Sequence, residues 1–482
     1  MKILISLSFF IVIFSNAVFS QKLVSATYKG ARTKQQVSSL FSLPLIKYGA
    51  KYYKILYTSP DAKGNMDTLS GLLVLPDDSR FEYPRLVYQH GTSDCKKCVP
   101  SFYGSSGGEE GQLGLLFAGL GFVSILPDYV GMGEGRGFQT YVHAATTVSA
   151  SKDMLDACLE WTSQNNIFTN DQLFITGYSQ GGYASMALHK YFEEFQGSTS
   201  VTAAAHLSGP YSLSGVMRNL ILGDVPYFYP AYIPNTVLGF NEVYGNLYAD
   251  LGEFFKSEYV PDILKYYNGT STLTTLNTKL IQLLQANTGA SVGGRMIRDD
   301  VKAEIIANPD HPANKILKEN DLYDWAPQVP TRIFYCTADD QVPFLNSVIA
   351  RDTMLANGAP LLSVTDVSPN STHGQCVTPA LTSTVLFFLG LQKITTGIAD
   401  DFTNNNITIY PNPVLDILSI DGLNEKETVT IFNADGQIIT QKVSNGSTIS
   451  NMDTSQMTDG VYIVMIQASD GRTQTHKLVK IR

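Results

Sequence analysis

The sequence predicts an α/β protein in which a mostly parallel sheet is covered by helices, carries an inserted helical cap, and is followed by a small all-β sandwich domain. Three observations support this prediction. Short β-rich runs alternate with helical runs, a long middle segment lacks this alternation, and the last part of the chain is β-rich throughout. Alternation of strands and helices is typical of a parallel sheet with helices on both faces.

The strands expected in the sheet are short runs of β-branched and aromatic residues bounded by Pro, Asp and Gly. Helices are expected at residues 143–161, directly after Gly181, and at 380–391. In the first helix, Met154, Leu155 and Cys158 lie on one face at helical spacing. The expected strands are 53–57, 71–76, 85–89, 122–126, 173–176, 201–207, 332–336 and 361–367.

Two segments interrupt the alternation. Residues from about 211 to 330 contain amphipathic pieces and no clean strand pattern, so we expect a helical cap inserted between two sheet strands. The polar stretch 394–405 predicts a linker. Residues 406–482 alternate polar and apolar side chains with turn signals at 433–436 and 469–471, which predicts the hairpins of a β-sandwich.

Size and composition limit the function classes. The chain has 482 residues, 44% of them hydrophobic, which is enough for a large core and too long for one ordinary domain. Only 16% of the residues are charged and the formal net charge is −9. Such a mildly acidic chain lacks the basic surface that nucleic-acid binding requires.

The first 20 residues predict a removable signal peptide. Lys2 supplies a positive start, residues 3–14 are apolar, and the small residues Val18 and Ser20 suit cleavage before Gln21. We therefore expect an exported protein, secreted or at the cell surface, whose sheet domain covers residues 21–393. Export makes disulfide bonds possible.

Five cysteines are present. Cys95 and Cys98 have the spacing of a short disulfide loop, and no second pair or His cluster suggests zinc. Cys336 and Cys376 flank two candidate catalytic positions and could pair. Cys158 would then be a buried thiol on a helix.

The run Gly177-Tyr-Ser179-Gln-Gly181 lies between an expected strand and an expected helix. A sharp strand-to-helix turn crowds its neighbours, and glycines remove the Cβ atoms that would clash. The turn exposes the serine hydroxyl, and the following helix directs its first amides at the same point. Ser179 is therefore the candidate nucleophile; the alternative is a plain helix N-cap.

A serine hydroxyl needs a general base, and in this kind of architecture the chain order is Ser, acid, His. That order leaves His373, in the loop after strand 361–367, as the base. Asp339 and Asp340 follow strand 332–336 and either could be the acid by position. Asp366 is a third candidate.

The expected oxyanion hole combines two backbone amides. Strand 85–89 ends in His90-Gly91-Thr92, where Gly91 allows close approach of the backbone to a substrate. The amides of Thr92 and Gln180 are the candidate donors. A simple turn after the strand is the alternative interpretation of His90-Gly91.

Taken together, these residues resemble the α/β-hydrolase fold, and within it the secreted lipase and esterase branch. The resemblance covers roughly residues 40–393, and its acid, the first residue of a D-x-x-V-P run, corresponds to Asp339. It implies a serine carboxylic-ester hydrolase that acts on small-molecule or lipid esters and needs no cofactor and no metal. The matching pieces are "YQHGT" (88–92), "LPDYVGMGEG" (126–135), "TYVHA" (140–144), "GYSQGG" (177–182), "TADDQVP" (337–343) and His373-Gly374.

The C-terminal part resembles the type A sorting domain of the type IX secretion system. The resemblance rests on "YPNPVLDILSI" (410–420), "GVYIVMI" (460–466) and the ending "HKLVKIR". It implies that the secretion machinery is a partner. From the sequence alone, a carbohydrate-binding or adhesion module is the alternative.

Two other functions remain open at this point. A secreted exopeptidase of the prolyl-peptidase type would use the same triad, although that group usually carries a propeller before the hydrolase part, and only about 65 mature residues precede the first hydrolase strands. A binding protein on a hydrolase scaffold would need no triad. Acyl length, alcohol portion and oligomeric state cannot be read from the sequence.

Overall fold

The computed structural model describes residues 22–105, 107–197, 200–396, 407–433, 436–468 and 473–481. The predicted signal peptide, positions 397–405 of the predicted linker and the predicted turn at 469–471 lie outside these residues. Within them, the predicted α/β fold with a C-terminal β domain is confirmed.

A ten-stranded sheet forms the centre of the larger part, in the order β1-β2-β3-β5-β4-β6-β7-β8-β9, with β10 paired to β4. The pairs from β5-β4 to β8-β9 are parallel, and the pairs among β1, β2, β3 and β5 are antiparallel. The strands are β1 (Leu23–Arg32), β2 (Ala50–Pro60), β3 (Met66–Pro76), β4 (Phe81–Gln89), β5 (Val123–Pro127), β6 (Thr169–Tyr178), β7 (Ala203–Leu207), β8 (Thr331–Tyr335), β9 (Leu362–Asp366) and β10 (Thr395–Thr396).

Helices cover both faces of the sheet. One face packs against helices α1, α2 and α12, and the other against α3, α4 and α11, so each face has its own apolar core. Burial on both faces explains why β5 and β7 are buried along their whole length and consist mainly of apolar residues. The helices are α1 (Lys34–Phe41), α2 (Gly111–Gly119), α3 (Ala144–Gln164), α4 (Gln180–Gln196), α11 (Leu345–Ala356) and α12 (His373–Leu389).

The segment between β7 and β8 is helical. It has its own core, in which Leu276, Leu280 and Leu284 of α8 pack against Phe255 and Tyr259. These leucines recur every four residues, as one buried stripe of a helix requires. The cap helices are α5 (Arg218–Leu222), α6 (Tyr232–Tyr244), α7 (Val260–Tyr267), α8 (Leu273–Thr288), α9 (Asp299–Ala307) and α10 (Pro312–Glu319).

The C-terminal domain consists of two antiparallel sheets, ordered β11-β12-β15 and β14-β13-β16-β17. Inward side chains of both sheets, such as Leu418, Met452, Ile431 and Val464, form one core, as in a sandwich. The strands are β11 (Thr408–Tyr410), β12 (Ile417–Asp421), β13 (Thr428–Phe432), β14 (Ile438–Val443), β15 (Thr448–Asp453), β16 (Gly460–Gln467) and β17 (Thr473–Lys480).

The closing helix differs from its prediction. It was expected at 380–391 with His373 in the preceding loop, but α12 begins at His373 itself. Thr372 and Gln375 form a capping box that starts the helix there, and Pro379 lies inside it. His373 is therefore held by the first turn of a helix rather than by a loop.

The sequence does not predict strands β1 and β10. Strand β1 forms one edge of the sheet beside β2, and β10 pairs antiparallel with the start of β4. In the parts of the chain that the structure describes, no helix combines the length and the apolar character that crossing a bilayer would need.

Candidate active site

Ser179 occupies the turn between β6 and α4. Its backbone has φ 61° and ψ −121°, a conformation that non-glycine residues adopt only under constraint. The Ser179 amide donates to the carbonyl of Leu207 on the neighbouring strand (2.9 Å), and its carbonyl accepts from Tyr183 in α4 (3.1 Å). These bonds hold the turn at the carboxyl end of the parallel strands, where sites in such sheets form.

The two flanking glycines are required by close backbone contacts. A Cβ at Gly177 would lie 2.4 Å from the carbonyl oxygen of Gly181 and 2.5 Å from that of Gln89. A Cβ at Gly181 would lie 2.0 Å from the same Gln89 oxygen. The glycine spacing of the motif is thus the consequence of packing β6, α4 and the end of β4 together.

The candidate base is paired with Asp339. His373 Nδ1 lies 2.7 Å from Asp339 Oδ2, and the two side chains are 7% and 1% exposed. The other carboxylate oxygen, Oδ1, accepts the amides of Gln341 (3.0 Å) and Val342 (2.8 Å). A carboxylate fixed in this way orients the imidazole and stabilises its protonated form.

The other two candidate acids have different partners. Asp340 Oδ1 accepts the backbone amide of His373 at 3.0 Å, so it supports the start of α12 rather than the ring. Asp366 accepts the Thr337 hydroxyl and the Ser368 amide. Of the three, the geometry pairs Asp339 with the imidazole.

The start of α12 is fastened to the serine turn. The hydroxyl of Tyr178, the residue before Ser179, donates to the carbonyl of His373 at 2.6 Å, and the two rings lie 4.9 Å apart. Within the described residues, neither the Ser179 hydroxyl nor His373 Nε2 has a hydrogen-bond partner. Both atoms are therefore uncommitted, as catalytic groups are in many enzymes before substrate binds.

The candidate oxyanion donors come from the start of α4 and from the loop after β4, which approaches the residue before Ser179 at Gly91. Gln180 is the first residue of α4, so its amide has no partner within the helix. The Thr92 side chain bonds the Tyr141 hydroxyl at 2.9 Å, whereas its backbone amide has no partner among the described residues. The amide of Gly91, one residue earlier, is already bound to Glu110 Oε2 at 2.8 Å. Glu110 has no motif around it, and sequence reasoning missed it.

His90 is a structural histidine. Its Nδ1 lies 2.7 Å from the carbonyl oxygen of Gly91 and its Nε2 lies 3.2 Å from that of Asp128, and the ring stacks on Tyr129. These contacts fix the turn after β4.

Tyr227 and Tyr232 of the cap lie over the loop that carries Asp339, and we call them the tyrosine roof. Tyr227 donates to the carbonyl of Gln341 and Tyr232 to its side-chain oxygen, both at 2.8 Å. Tyr232 also stacks on Tyr141, which contacts Thr92. Ser179 itself is 7% exposed.

Two disulfides are present. Cys95 is bonded to Cys98, and Cys336 to Cys376. The second bond joins the end of β8, just before Asp339, to the first turn of α12. Cys158 is a buried free thiol whose pKa is raised by burial. In the described parts of the chain, no group of three or more His, Cys, Asp or Glu side chains is placed to hold a metal ion.

Comparison with known proteins agrees with this architecture. Residues 408–481 match the secretion system C-terminal sorting domain, and residues 113–212 match the prolyl oligopeptidase family, whose catalytic domain is an α/β-hydrolase. The chain thus has a hydrolase fold, and its sorting domain indicates export by the type IX system to the cell surface or the medium. None of the curated proteins is significantly similar in sequence.

Three solved structures illustrate the similarity. A Legionella pneumophila protein described as a hydrolase shares 24% identity with TM-score 0.67, covering 76% of this chain and 97% of its own. The rice cell wall degrading esterase LipA of Xanthomonas oryzae shares 21% identity with TM-score 0.65 and the same coverage. Candida antarctica lipase A shares 12% identity with TM-score 0.57, covering 78% and 84%. At these identities the comparison establishes the fold.

Proposed function

We propose that the protein is a secreted serine carboxylic-ester hydrolase, of the lipase and esterase type, with Ser179, His373 and Asp339 as its triad. The observation that carries this proposal is the buried His373–Asp339 pair fastened beside the strained turn of Ser179. The ring nitrogen that faces away from Asp339 has no other partner in the described residues. A base oriented by a carboxylate and free at its second nitrogen is what a serine nucleophile needs.

The reaction proceeds through an acyl-enzyme. The Ser179 Oγ attacks the ester carbonyl while His373 Nε2 takes the hydroxyl proton, and Asp339 stabilises the imidazolium. The amides of Thr92 and Gln180 donate to the oxyanion. The ester bond between the carbonyl carbon and the alcohol oxygen then breaks, and the alcohol leaves with the proton from His373. Water, deprotonated by the same nitrogen, attacks the acyl-enzyme. The bond from the carbonyl carbon to Ser179 Oγ breaks, Oγ takes the proton back from His373, and the carboxylic acid is released.

Esters are favoured over amides by the surroundings of the triad. The side chains beside the acid loop are aromatic, and the hydroxyls of Tyr227, Tyr232 and Tyr141 are engaged with Gln341 and Thr92. This wall therefore offers few free polar groups, which suits an apolar acyl or alcohol group. Two of the similar structures are described as an esterase and a lipase, and each covers more than three quarters of this chain.

A serine exopeptidase of the prolyl-peptidase type is the second candidate. The observation that favours it is the match of residues 113–212, which include the serine turn, to the prolyl oligopeptidase family. The chemistry at Ser179 would be the same with an amine as leaving group, so the leaving group decides between the two.

The test is a panel of nitrophenyl esters of increasing acyl length and a prolyl nitroanilide, assayed with wild type, Ser179→Ala and the exposed-serine control Ser163→Ala. We expect ester turnover in wild type and the control, and a loss of about 10⁶-fold in kcat in Ser179→Ala. A fluorophosphonate should label wild type and not Ser179→Ala. Faster cleavage of the anilide than of every ester would favour the peptidase; unchanged ester turnover in Ser179→Ala would refute the triad.

A further inference from the structure

We propose that Glu110 is a positioning residue that clamps the loop carrying the oxyanion donor Thr92. The inference rests on the proposed function, because Thr92 has a catalytic role only if an oxyanion forms at Ser179. The geometry on which it depends is the bond from the Gly91 amide to Glu110 Oε2, at 2.8 Å.

This bond closes a long excursion of the chain. After β4 the chain leaves the sheet at Gly91 and returns at Glu110, 19 residues later, where α2 begins. A Cβ at Gly91 would lie 3.1 Å from Glu110 Oε1 and 3.4 Å from the Tyr178 carbonyl, so the carboxylate, Gly91 and the residue before Ser179 are in contact. The clamp therefore lies at the base of the loop and beside the nucleophile turn.

Glu110 is presented from a rigid element. It directly precedes α2, whose glycines pack closely on the sheet: a Cβ at Gly111 would lie 3.1 Å from Leu72, and one at Gly114 would lie 2.7 Å from Val74. A side chain held by such an element fixes its partner better than one on a free loop.

The other side of the loop is anchored to the cap. Asp94 accepts the amides of Leu273 (3.0 Å, to its carbonyl) and Thr274 (2.7 Å, to Oδ1) at the start of α8. Thr92 thus lies between two anchors, the Glu110 clamp on one side and Asp94 on the other. Because Glu110 holds the residue next to Thr92, loss of the clamp should displace the Thr92 amide directly.

The charge of Glu110 is not what the reaction needs. A carboxylate near a developing oxyanion opposes that charge, so its role is to accept the Gly91 N–H in one fixed place. An amide oxygen can accept the same bond, whereas a shorter acid cannot reach it. The position of the acceptor, rather than its charge, should therefore control the rate.

The experiment compares Glu110→Asp, Glu110→Ala and Glu110→Gln by steady-state kinetics on the best nitrophenyl ester. Since a misplaced donor acts in the transition state, we expect Glu110→Asp and Glu110→Ala to lower kcat by about 10- to 100-fold with little change in KM. Glu110→Gln should restore most of that loss. The matched control is the exposed neighbour Glu109→Asp, which should keep wild-type kinetics.

Each outcome of this experiment either supports the Glu110 clamp or contradicts it. Glu110→Asp keeps the charge and nearly the size, so it remains informative if Glu110→Ala fails to fold. Wild-type kcat in Glu110→Asp, or a Gln variant as slow as the Asp variant, would overturn the clamp. An inactive wild type that no fluorophosphonate labels would instead refute the proposed function, so the two failures are distinguishable.

Discussion

Two histidine–carboxylate pairs lie near helix α4, and they differ in what surrounds them. His373 pairs with Asp339 at 2.7 Å, and His189 pairs with Glu193 at 2.8 Å. Both rings are almost completely buried. By distance and burial alone, either could be taken for a catalytic dyad.

The second pair belongs to a closed network. His189 Nδ1 lies 3.2 Å from His206 Nε2, and His206 Nδ1 lies 2.8 Å from the Ser185 hydroxyl. That hydroxyl also donates to the carbonyl of Gly182 at 2.9 Å. The Ser185 hydroxyl has only one proton, which it donates to Gly182, so it accepts from His206 Nδ1. His206 Nε2 then accepts from His189 Nδ1, and His189 Nε2 faces Glu193.

The directions of the pKa shifts agree with this arrangement. Burial and the neighbouring His189 lower the pKa of His206, which keeps it neutral. For Glu193, the hydrogen bond from His189 and the amides of Gln328 and Val329 outweigh burial and lower its pKa, which keeps it ionised. Every nitrogen of this network is occupied, whereas His373 Nε2 is free in the described residues. In the proposed mechanism, reactivity therefore depends on an uncommitted nitrogen close to the turn of Ser179 rather than on the histidine–carboxylate pair itself.

The largest effect is expected on ester turnover, when the acid of the His373–Asp339 pair is changed. Asp339→Asn should lower kcat by about 10⁴-fold, equivalent to about 5.5 kcal/mol, because the imidazole loses its orientation and its counter-charge. Asp340→Asn is the matched control: Asp340 contacts the His373 amide and not the ring, so its loss should be much smaller. Equal losses in the two variants, measured as ester kcat, would contradict the assignment of the acid.

Of the two disulfides, the one beside the His373–Asp339 pair should contribute more to the free energy of unfolding. Cys336 and Cys376 are 40 residues apart, so removing the bond in a Cys336→Ala, Cys376→Ala variant should cost about 4 kcal/mol of unfolding free energy. Cys95 and Cys98 are 3 apart, and the same change there should cost about 1.5 kcal/mol. Denaturant unfolding of both double variants gives the comparison; a larger loss at the short loop would oppose this ranking.

The second pair should matter for stability and not for rate. Glu193→Gln removes the carboxylate partner of the buried His189 ring and should lower the unfolding free energy by about 1–3 kcal/mol. The control is Glu194→Gln, whose half-exposed side chain lies 3.7 Å from Lys190 and should contribute under about 1 kcal/mol. A kcat loss in Glu193→Gln comparable to that of Asp339→Asn would erase the distinction between the pairs.

The His189–Glu193 pair also predicts that the stability of the fold depends on pH in the acid range. Since the folded pKa of Glu193 is lowered, its stabilising contribution is present above the unfolded pKa of about 4.3 and is lost as the pH falls through the folded pKa. The lowered pKa of His206 also makes the folded state less stable as the pH falls below about 6.5. His206 is present in wild type and in Glu193→Gln, so the difference in melting temperature between them isolates the contribution of Glu193. Melting temperatures at pH 7 and below 4 should therefore converge on acidification; a gap that widens would reverse the sign.

The sequence predicted the features that constrain the backbone locally. The serine turn needs glycines at fixed positions, and alternating strands and helices determine the parallel sheet, so both leave patterns in the chain. The confirmed fold and sorting domain follow from such patterns. Asp339 and His373 form a pair in the structure, as the expected order of serine, acid and histidine along the chain predicts. Their catalytic roles stay predictions.

Features formed by tertiary contact left no such pattern. The contact between Gly91 and Glu110 spans 19 residues, and that between His189 and His206 spans 17, with no motif at either end. Asp339 and Asp340 are neighbours, so position left both open and only the family resemblance favoured Asp339. In the structure the turn that aims the amides of Gln341 and Val342 at Asp339 distinguishes the two. Side-chain direction of this kind is set by packing that the sequence does not display.

The smallest expected effect concerns the link between the cap and the acid loop. Tyr232→Phe removes the bond to the Gln341 side chain, whose backbone amide holds Asp339, and one such bond is worth about 1 kcal/mol. We therefore expect kcat/KM for the ester to fall by about fivefold. Tyr229→Phe is the control, because Tyr229 stacks on Tyr232 and its hydroxyl has no bond in the described residues. If both variants behave alike, the cap tyrosines act through ring packing only. A loss confined to Tyr232→Phe means that the cap helps to hold Asp339, the acid of the His373 pair. The His189–Glu193 pair needs no such support, because its partners all lie within its own network.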